Sequence, residues 1–240
     1  MNKKKVGVFI IILICTFLCG MIFNSKMKFL TEKETKNIKI IEKTIKNKTT
    51  EDIIKNENIV FLGDSITYYY PIDEIYNELP IVKSGVPGYK TDDVLKELDS
   101  MVYRYNPTSV FLLIGTNDFR DEDDDSLVEK VENNIVEIIS KIKKNRKKAK
   151  IYIESIYPVN KSVDEKQVNH RDNEEISKVN NFLKNYCKDN ECIYIDVFKA
   201  LADSEGNYYK NYTDDGLHAN SLGYARISRV LTPYIYGLAE

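Results

Sequence analysis

Tryptophan is absent from the 240 residues, and histidine and cysteine are scarce, with two and four copies. Imidazole chemistry can therefore reside only at His170 or His218. No Cys/His spacing of the zinc-site type is present. Cys15 and Cys19 fall in an apolar run, while Cys187 and Cys192 lie close together in the C-terminal half. A disulfide across that short loop is compatible with an oxidising compartment. Cys187 also continues the apolar face Ile176, Val179, Leu183 of an expected helix, and packing is the reading adopted. Glycine runs that cradle phosphate are missing as well: the first strand-to-helix loop offers only Gly63, which argues against a nucleotide- or flavin-binding domain. No internal repeat is visible.

Excess charge of one sign is also lacking overall, with a net of -2, but the charge is unevenly spread. Residues 1–57 hold 12 Lys against 6 acidic residues, about +6, which leaves 23 basic and 31 acidic residues, about -8, for 58–240. An acidic C-terminal part argues against nucleic acid as a partner, because phosphate binding needs a basic surface. The basic N-terminal part suits an anionic membrane surface.

Lys3, Lys4 and Lys5 precede an uncharged run of 18 residues, Val6 to Phe23, at the short end of a bilayer-spanning helix. No small-x-small cleavage site follows, and neither cysteine has the small preceding residue of a lipobox. Residues 1–24 are read as an uncleaved anchor with the domain outside; a cleaved signal and a secreted protein remain the alternative. Residues 25–57, rich in Lys, Glu, Asn and Thr and without Gly or Pro, are expected to form a partly helical stalk.

From residue 58 to 240 strand and helix patterns alternate. Five β-branched-rich runs read as strands buried on both faces: 59–62, 81–83, 110–114, 151–156 and 193–197. Between them, Thr91 is placed to cap a helix carrying Val94, Leu95, Leu98, Met101 and Val102. A long helix follows with Val128, Val131, Ile135, Ile138 and Ile142 on one face, acidic before its start and basic at its end, in accord with the helix dipole. Further helices are expected over 173–187 and 221–236. Regular alternation implies right-handed crossovers. The expected fold class is α/β: a three-layer α/β/α domain with a five-stranded parallel sheet in flavodoxin-like order, preceded by a transmembrane helix.

In such sheets the ligand sits beyond the carboxyl ends of the strands. The residues there are Gly63-Asp64-Ser65-Ile66-Thr67, Ser84-Gly85-Val86-Pro87-Gly88, Gly115-Thr116-Asn117-Asp118 and, before the final helix, Asp214-Asp215-Gly216-Leu217-His218. A serine hydroxyl needs a base, the base needs an orienting carboxylate, and a tetrahedral oxyanion needs preorganised donors. All of these types are present, and acyl transfer is the chemistry they suit.

Gly-Asp-Ser, Gly-x-x-Gly, Gly-x-Asn-Asp and Asp-x-x-His, in this order on these elements, resemble the four sequence blocks of the SGNH (GDSL-type) hydrolases over about residues 58–236. The resemblance implies Ser65 as nucleophile, His218 as general base and then acid, and Asp215 as its orienting carboxylate. It implies an oxyanion hole built from the backbone N–H groups of Ser65 and Gly85 and the side-chain amide of Asn117. It also implies that no metal and no organic cofactor is needed. One departure is Lys83, at a position where many relatives carry Asn two residues before the block-two glycine; this loosens the choice of Gly85 over Gly88.

Other residues invite roles. Asp64 and Asp118 are read as loop-holding carboxylates rather than acids, and Asp214 as a neighbour that lacks the Asp-x-x-His spacing. His170 is read as a solvated loop histidine. Asp121, Asp123, Asp125 and Glu132 match four positions of a calcium loop, but Ser126 stands where that loop requires Gly, so a charged helix start is preferred. Tyr68, Tyr69 and Tyr70 either pack the first helix or stack on a sugar ring, and the loop with Pro158 is a candidate pocket wall.

The expected function is therefore an extracytoplasmic serine esterase acting on short acyl groups, O-acetyl foremost, of a small molecule or an envelope glycan, through an acyl-enzyme on Ser65. An O-acyltransferase, a lysophospholipase or a thioesterase would use the same parts. A binding-only domain should lack one of them.

Overall fold

The computed structural model describes residues 58–121 and 126–239. The expected anchor and stalk lie outside these residues. Among the described residues no helix is long and apolar enough to cross a membrane. By its contacts the chain divides into two units. One is Glu57–Thr232, which holds the sheet; the other is Met1–Asn56 with Pro233–Ala239, of which the described part is the end of the last helix and a turn at Gly237 (φ +61°).

The elements in chain order are β1 (Ile59–Gly63), α1 (Ser65–Tyr69), α2 (Ile72–Ile75), β2 (Ile81–Gly85), α3 (Thr91–Lys96), α4 (Leu98–Met101), β3 (Ser109–Leu113), α5 (Ser126–Asn145), β4 (Lys150–Glu154), α6 (Glu165–Val168), α7 (Asn173–Asp189), β5 (Ile193–Ile195), α8 (Phe198–Leu201) and α9 (Ser221–Ile235). The five strands form one parallel sheet in the order β2-β1-β3-β4-β5, the flavodoxin-like order expected.

β1, β3 and β4 read as near-continuous apolar runs because both faces are covered, whereas β2 and β5, also expected to be buried, are only partly so because each is an edge strand with one neighbour. Val60, Leu62, Val110, Leu112, Ile151 and Ile153 join one core with Val94 of α3, Ile135 and Ile139 of α5, and Val179 and Leu183 of α7. On the opposite face Phe61, Phe111 and Tyr152 occupy one register row across β1, β3 and β4. Their rings stack at 4.6 and 4.4 Å. Each such pair adds about 0.5–1.5 kcal/mol beyond area burial. The row continues outward: Tyr70 meets the edge of Phe61 and stacks on Tyr224 of α9 at 5.2 Å. The Tyr70 hydroxyl shares a 2.8 Å hydrogen bond with Ser228, so this phenol is satisfied in the core.

Two expectations needed correction. The helix expected from Thr91 through Val102 is two short helices, α3 and α4, divided at Glu97. Nor does Thr91 cap it. Lys90 is the N-cap residue, and its N–H donates to Asp93 at 3.0 Å. Thr91 is fully buried, and its hydroxyl donates 2.6 Å to Asp118 instead. The strands also end differently: β2 extends to Gly85, β4 stops at Glu154 and β5 at Ile195, because side-chain hydropathy does not report where ladder hydrogen bonding stops. Cys187 and Cys192 are buried free thiols.

At the end of β4, Glu154 is 4% exposed and accepts the Tyr157 hydroxyl at 2.7 Å. Burial pushes its carboxyl up from 4.5 to about 7, against that hydrogen bond. A raised folded value means the fold holds a proton that the unfolded chain has already released. Stability from this group is full below the unfolded value and is lost as pH rises through about 7. The melting temperature is expected to fall between about pH 5 and pH 8, and Glu154→Gln to flatten part of that fall. Thermal unfolding across this range checks it; an unchanged slope in the variant would assign the pH dependence elsewhere.

Candidate active site

β1 delivers Ser65 through a turn that tolerates no side chain at Gly63. A Cβ there would stand 2.3 Å from Thr67 Oγ1 and 2.4 Å from the Leu113 carbonyl. Asp64 is the N-cap of α1, its Oδ1 accepting the Ile66 N–H at 2.9 Å. Asp64 thus fills the capping role, and the Ser65 hydroxyl is left for other work. Burial pushes the Asp64 carboxyl up to about 7, opposed first by the bond from Ile66.

Ser65 Oγ lies 2.9 Å from His218 Nε2, and His218 Nδ1 lies 2.7 Å from Asp215 Oδ2. The other carboxylate oxygen of Asp215 accepts the N–H groups of Leu217 and His218 at 2.9 and 2.7 Å. Burial works to raise this carboxyl, but the His218 side chain and the two backbone donors outweigh it and bring it down to about 2. Asp215 is therefore ionised at neutral pH and held on both oxygens. An anion at Nδ1 selects the tautomer whose Nε2 is a free acceptor facing the serine hydroxyl.

The loop that carries this pair is itself fixed from below. Gly216 adopts φ +76°, and a Cβ on it would meet the Asn160 carbonyl at 2.4 Å. Its N–H donates to Thr213 Oγ1 at 2.9 Å and its carbonyl accepts Asn160 N–H at 2.8 Å. Asp214 faces away, bonding Asn220 at 3.0 Å. Asp118 ties the loop after β3 to the start of α3 by accepting the N–H and hydroxyl of Thr91. Both aspartates thus do the structural work expected of them.

Asn117 joins Ser65 and His218 in lining a crevice of about 330 Å³. Its Oδ1 accepts from Arg171 Nη2 at 2.7 Å and its Nδ2 donates to the Tyr89 carbonyl at 3.1 Å. Gly85 sits behind this wall: a Cβ on it would be 2.5 Å from the Tyr68 nitrogen and 2.6 Å from the Asp64 carbonyl. The lining residues on that side are Pro87 and Gly88, the latter at φ +83°. Lys83 takes no part in the crevice and bonds the Tyr70 carbonyl at 3.3 Å, with Asp73 at 3.5 Å.

The tyrosine triplet divides. Tyr70 is core, whereas Tyr68 and Tyr69 are 49% and 55% exposed. Tyr69 lines the crevice and sets its ring perpendicular to that of His218 at 5.5 Å. His170 is exposed and off the crevice, as expected. The connection after β4 does reach the crevice, through Lys166, Gln167, Asn169 and Arg171 rather than Pro158. Arg171 was not singled out by sequence: a charged residue in a polar loop carries no local sign that it is 2% exposed. Of the calcium-like positions, Asp123 and Asp125 lie outside the described residues, and Asp121 is bonded by Arg120 at 2.7 Å and Lys90 at 3.1 Å. No group of residues suited to a metal ion occurs among the described residues.

The tight seat of Gly85 gives a test. Gly85→Ala presses on backbone rather than on a flexible side chain, so it is expected to cost about 1–3 kcal/mol of stability. It should also slow fluorophosphonate labelling of the serine by displacing α1. Denaturant unfolding and labelling rates measure both; a variant equal to wild type in each would mean the contact is easily relieved.

A family model for the GDSL-like lipase/acylhydrolase family matches residues 61–226. Among solved structures, a Streptococcus pneumonia protein provisionally described as a platelet activating factor is 32% identical, covering 84% of this chain and 99% of its own, with a TM-score of 0.69. An acetyl xylan esterase is 22% identical over 74% of this chain and 98% of its own, at a TM-score of 0.61, a likeness of fold. The N-acylneuraminate cytidylyltransferase of Escherichia coli O18:K1:H7 is 30% identical over 172 residues, 70% of this chain; the match spans 38% of that longer protein. With the four blocks gathered on one sheet edge, these matches place the chain in the GDSL-like lipase/acylhydrolase family, as an ester hydrolase of that family.

Proposed function

We propose that this ester hydrolase works through an acyl-enzyme on Ser65 and removes short acyl groups, O-acetyl foremost, from glycans of the cell envelope. The observation that carries the catalytic reading is the continuous hydrogen-bonded line Ser65–His218–Asp215, 2.9 and 2.7 Å, opening onto a crevice. His218 takes the Ser65 proton as the hydroxyl attacks the ester carbonyl. The tetrahedral oxyanion is received by the Asn117 amide and the backbone N–H of Ser65, both residues of the crevice wall; Gly85, expected as a further donor, is not among the lining residues. His218 then returns the proton to the leaving alcohol, and water repeats the sequence on the acyl-enzyme.

The crevice volume supports a short acyl group. About 330 Å³ lies at the lower end of the roughly 300–1,000 Å³ typical of small-molecule pockets, which suits an acetyl group and part of its carrier better than a long lipid chain. The glycan carrier is supported by Tyr69, an exposed ring at the rim where a sugar face can stack. Among similar proteins, one is named an acetyl xylan esterase, which supports the same substrate class. The tether, with the domain extracytoplasmic, rests on the uncharged run Val6 to Phe23 behind Lys3–Lys5.

Ser65→Ala is expected to abolish covalent labelling by a fluorophosphonate while the fold survives; persistent labelling would move the nucleophile elsewhere. Asn117→Ala is expected to lower kcat by about 10²–10³ with little change in KM. Acetate release from acetylated oligosaccharides, compared with fatty acid release from a lysophospholipid, decides the substrate class. Tyr69→Ala should raise KM for the oligosaccharide and leave p-nitrophenyl acetate unaffected. Faster turnover of the lysophospholipid would overturn the glycan assignment. An alkaline phosphatase fusion after residue 57 reports the side of the membrane, being active only outside the cytoplasm.

A further inference from the structure

Arg171 is a deeply buried cation of the site, 2% exposed, yet its bonds to the described residues all end on neutral oxygens. Nε donates to the Thr116 carbonyl at 2.9 Å, Nη1 to the Gln167 and Val168 carbonyls at 3.2 and 3.0 Å, and Nη2 to Asn117 Oδ1 at 2.7 Å. Burying a guanidinium with no carboxylate bonded to it among the described residues is costly, and Asp64, Asp121 and Asp215 act on it only from a distance; a fold that needed only to pin a loop would do so more cheaply with a neutral donor. Two of the four bonds fall on consecutive residues, Thr116 and Asn117, the segment that presents the crevice amide.

The chemistry of the pair is directional. A guanidinium only donates, so the atom of Asn117 that faces it must be the oxygen. Nδ2 is thereby turned to the other side, where one of its hydrogens goes to the Tyr89 carbonyl. A flipped amide would oppose donor to donor at Arg171 and acceptor to acceptor at Tyr89, so the two partners select one orientation between them. The remaining Nδ2 hydrogen belongs to a residue that shares the crevice wall with Ser65 and His218. A cation on Oδ1 also draws electron density from the amide, which makes that N–H a stronger donor.

We propose that Arg171 is the positioning residue of the oxyanion site: it orients and polarises the Asn117 amide, and acts on the reaction through Asn117 alone. This rests on Asn117 serving as an oxyanion donor, and the experiment separates the two statements. Binding of the substrate before attack makes little use of the polarised amide, because the negative charge develops only in the transition state.

The test is a double-mutant cycle in the full chain with p-nitrophenyl acetate, using Asn117→Ala, Arg171→Met, Arg171→Lys and the doubles. Thermal unfolding identifies the folded variants. Arg171→Met is expected to lower kcat roughly 10–10²-fold with KM changed less than about threefold, and Arg171→Lys to recover part of the loss by returning the charge. In the Asn117→Ala background either change should lower kcat by less than about twofold, since the residue it acts through is gone. Equal losses in both backgrounds, or wild-type kcat in Arg171→Met, would overturn the proposal for Arg171. An unchanged kcat in Asn117→Ala alone would instead overturn the oxyanion reading beneath it. Should neither arginine variant fold, the wild type answers by NMR. On forming a boronic acid adduct at Ser65, a downfield shift of one Asn117 Nδ2 hydrogen supports the held amide, and no shift overturns it.

Discussion

The 2.9 Å hydrogen bond between Ser65 and His218 joins two residues 153 positions apart, and most of the fold bears on it. It requires β1 to end beside the loop that precedes α9. Neither partner can move far: Ser65 opens a helix capped by Asp64, and His218 is held at both ends of the Asp215 carboxylate. The glycines nearby serve the same constraint, since Gly63 and Gly85 let backbone approach backbone at distances that exclude a Cβ. A parallel sheet supplies the frame because all its carboxyl ends lie along one edge. Loops far apart in sequence then meet without any one of them being long.

Around this bond the polar groups are layered by what surrounds them. Asp215, bonded by the His218 ring and the N–H groups of Leu217 and His218, is held down to about 2 and stays charged. Asp64, one residue from the serine, has one backbone donor and is pushed up to about 7 by burial. Two aspartates flanking one site thus differ because one is paired and the other buried. Arg171 adds the reverse case, a buried cation spent on neutral oxygens and on the amide of Asn117. The site is set against an apolar frame: the stacked row Phe61, Phe111 and Tyr152 on one face and the aliphatic core on the other.

Much of this was legible from residue types. The five strands declared themselves as β-branched runs and their parallel pairing followed from alternation with helices, but the partial burial of β2 at the sheet edge was not legible. The Ser65 and Asn117 blocks stand out because each departs from the apolar run beside it, and the Asp215–His218 block through its resemblance to the Asp-x-x-His pattern. The break between α3 and α4 was not legible, since Val94, Leu98, Met101 and Val102 keep a helical period across it. The Tyr68–Tyr69–Tyr70 triplet gave no sign that its third member enters the core while the second faces His218.

The sequence alone determined the class of the fold, the identity of the reactive groups and the edge of the sheet on which they meet. Periodicity and turn chemistry act over a few residues and are written locally. Tertiary structure decided what depends on distant neighbours. It put Gly88 and Pro87 rather than Gly85 on the crevice wall, Asp118 on Thr91, and Arg171 on Asn117. A side chain's burial and its hydrogen-bond partner are properties of the space it enters, and that space is made by other elements, 27 positions away for Asp118 and Thr91 and 54 for Arg171 and Asn117.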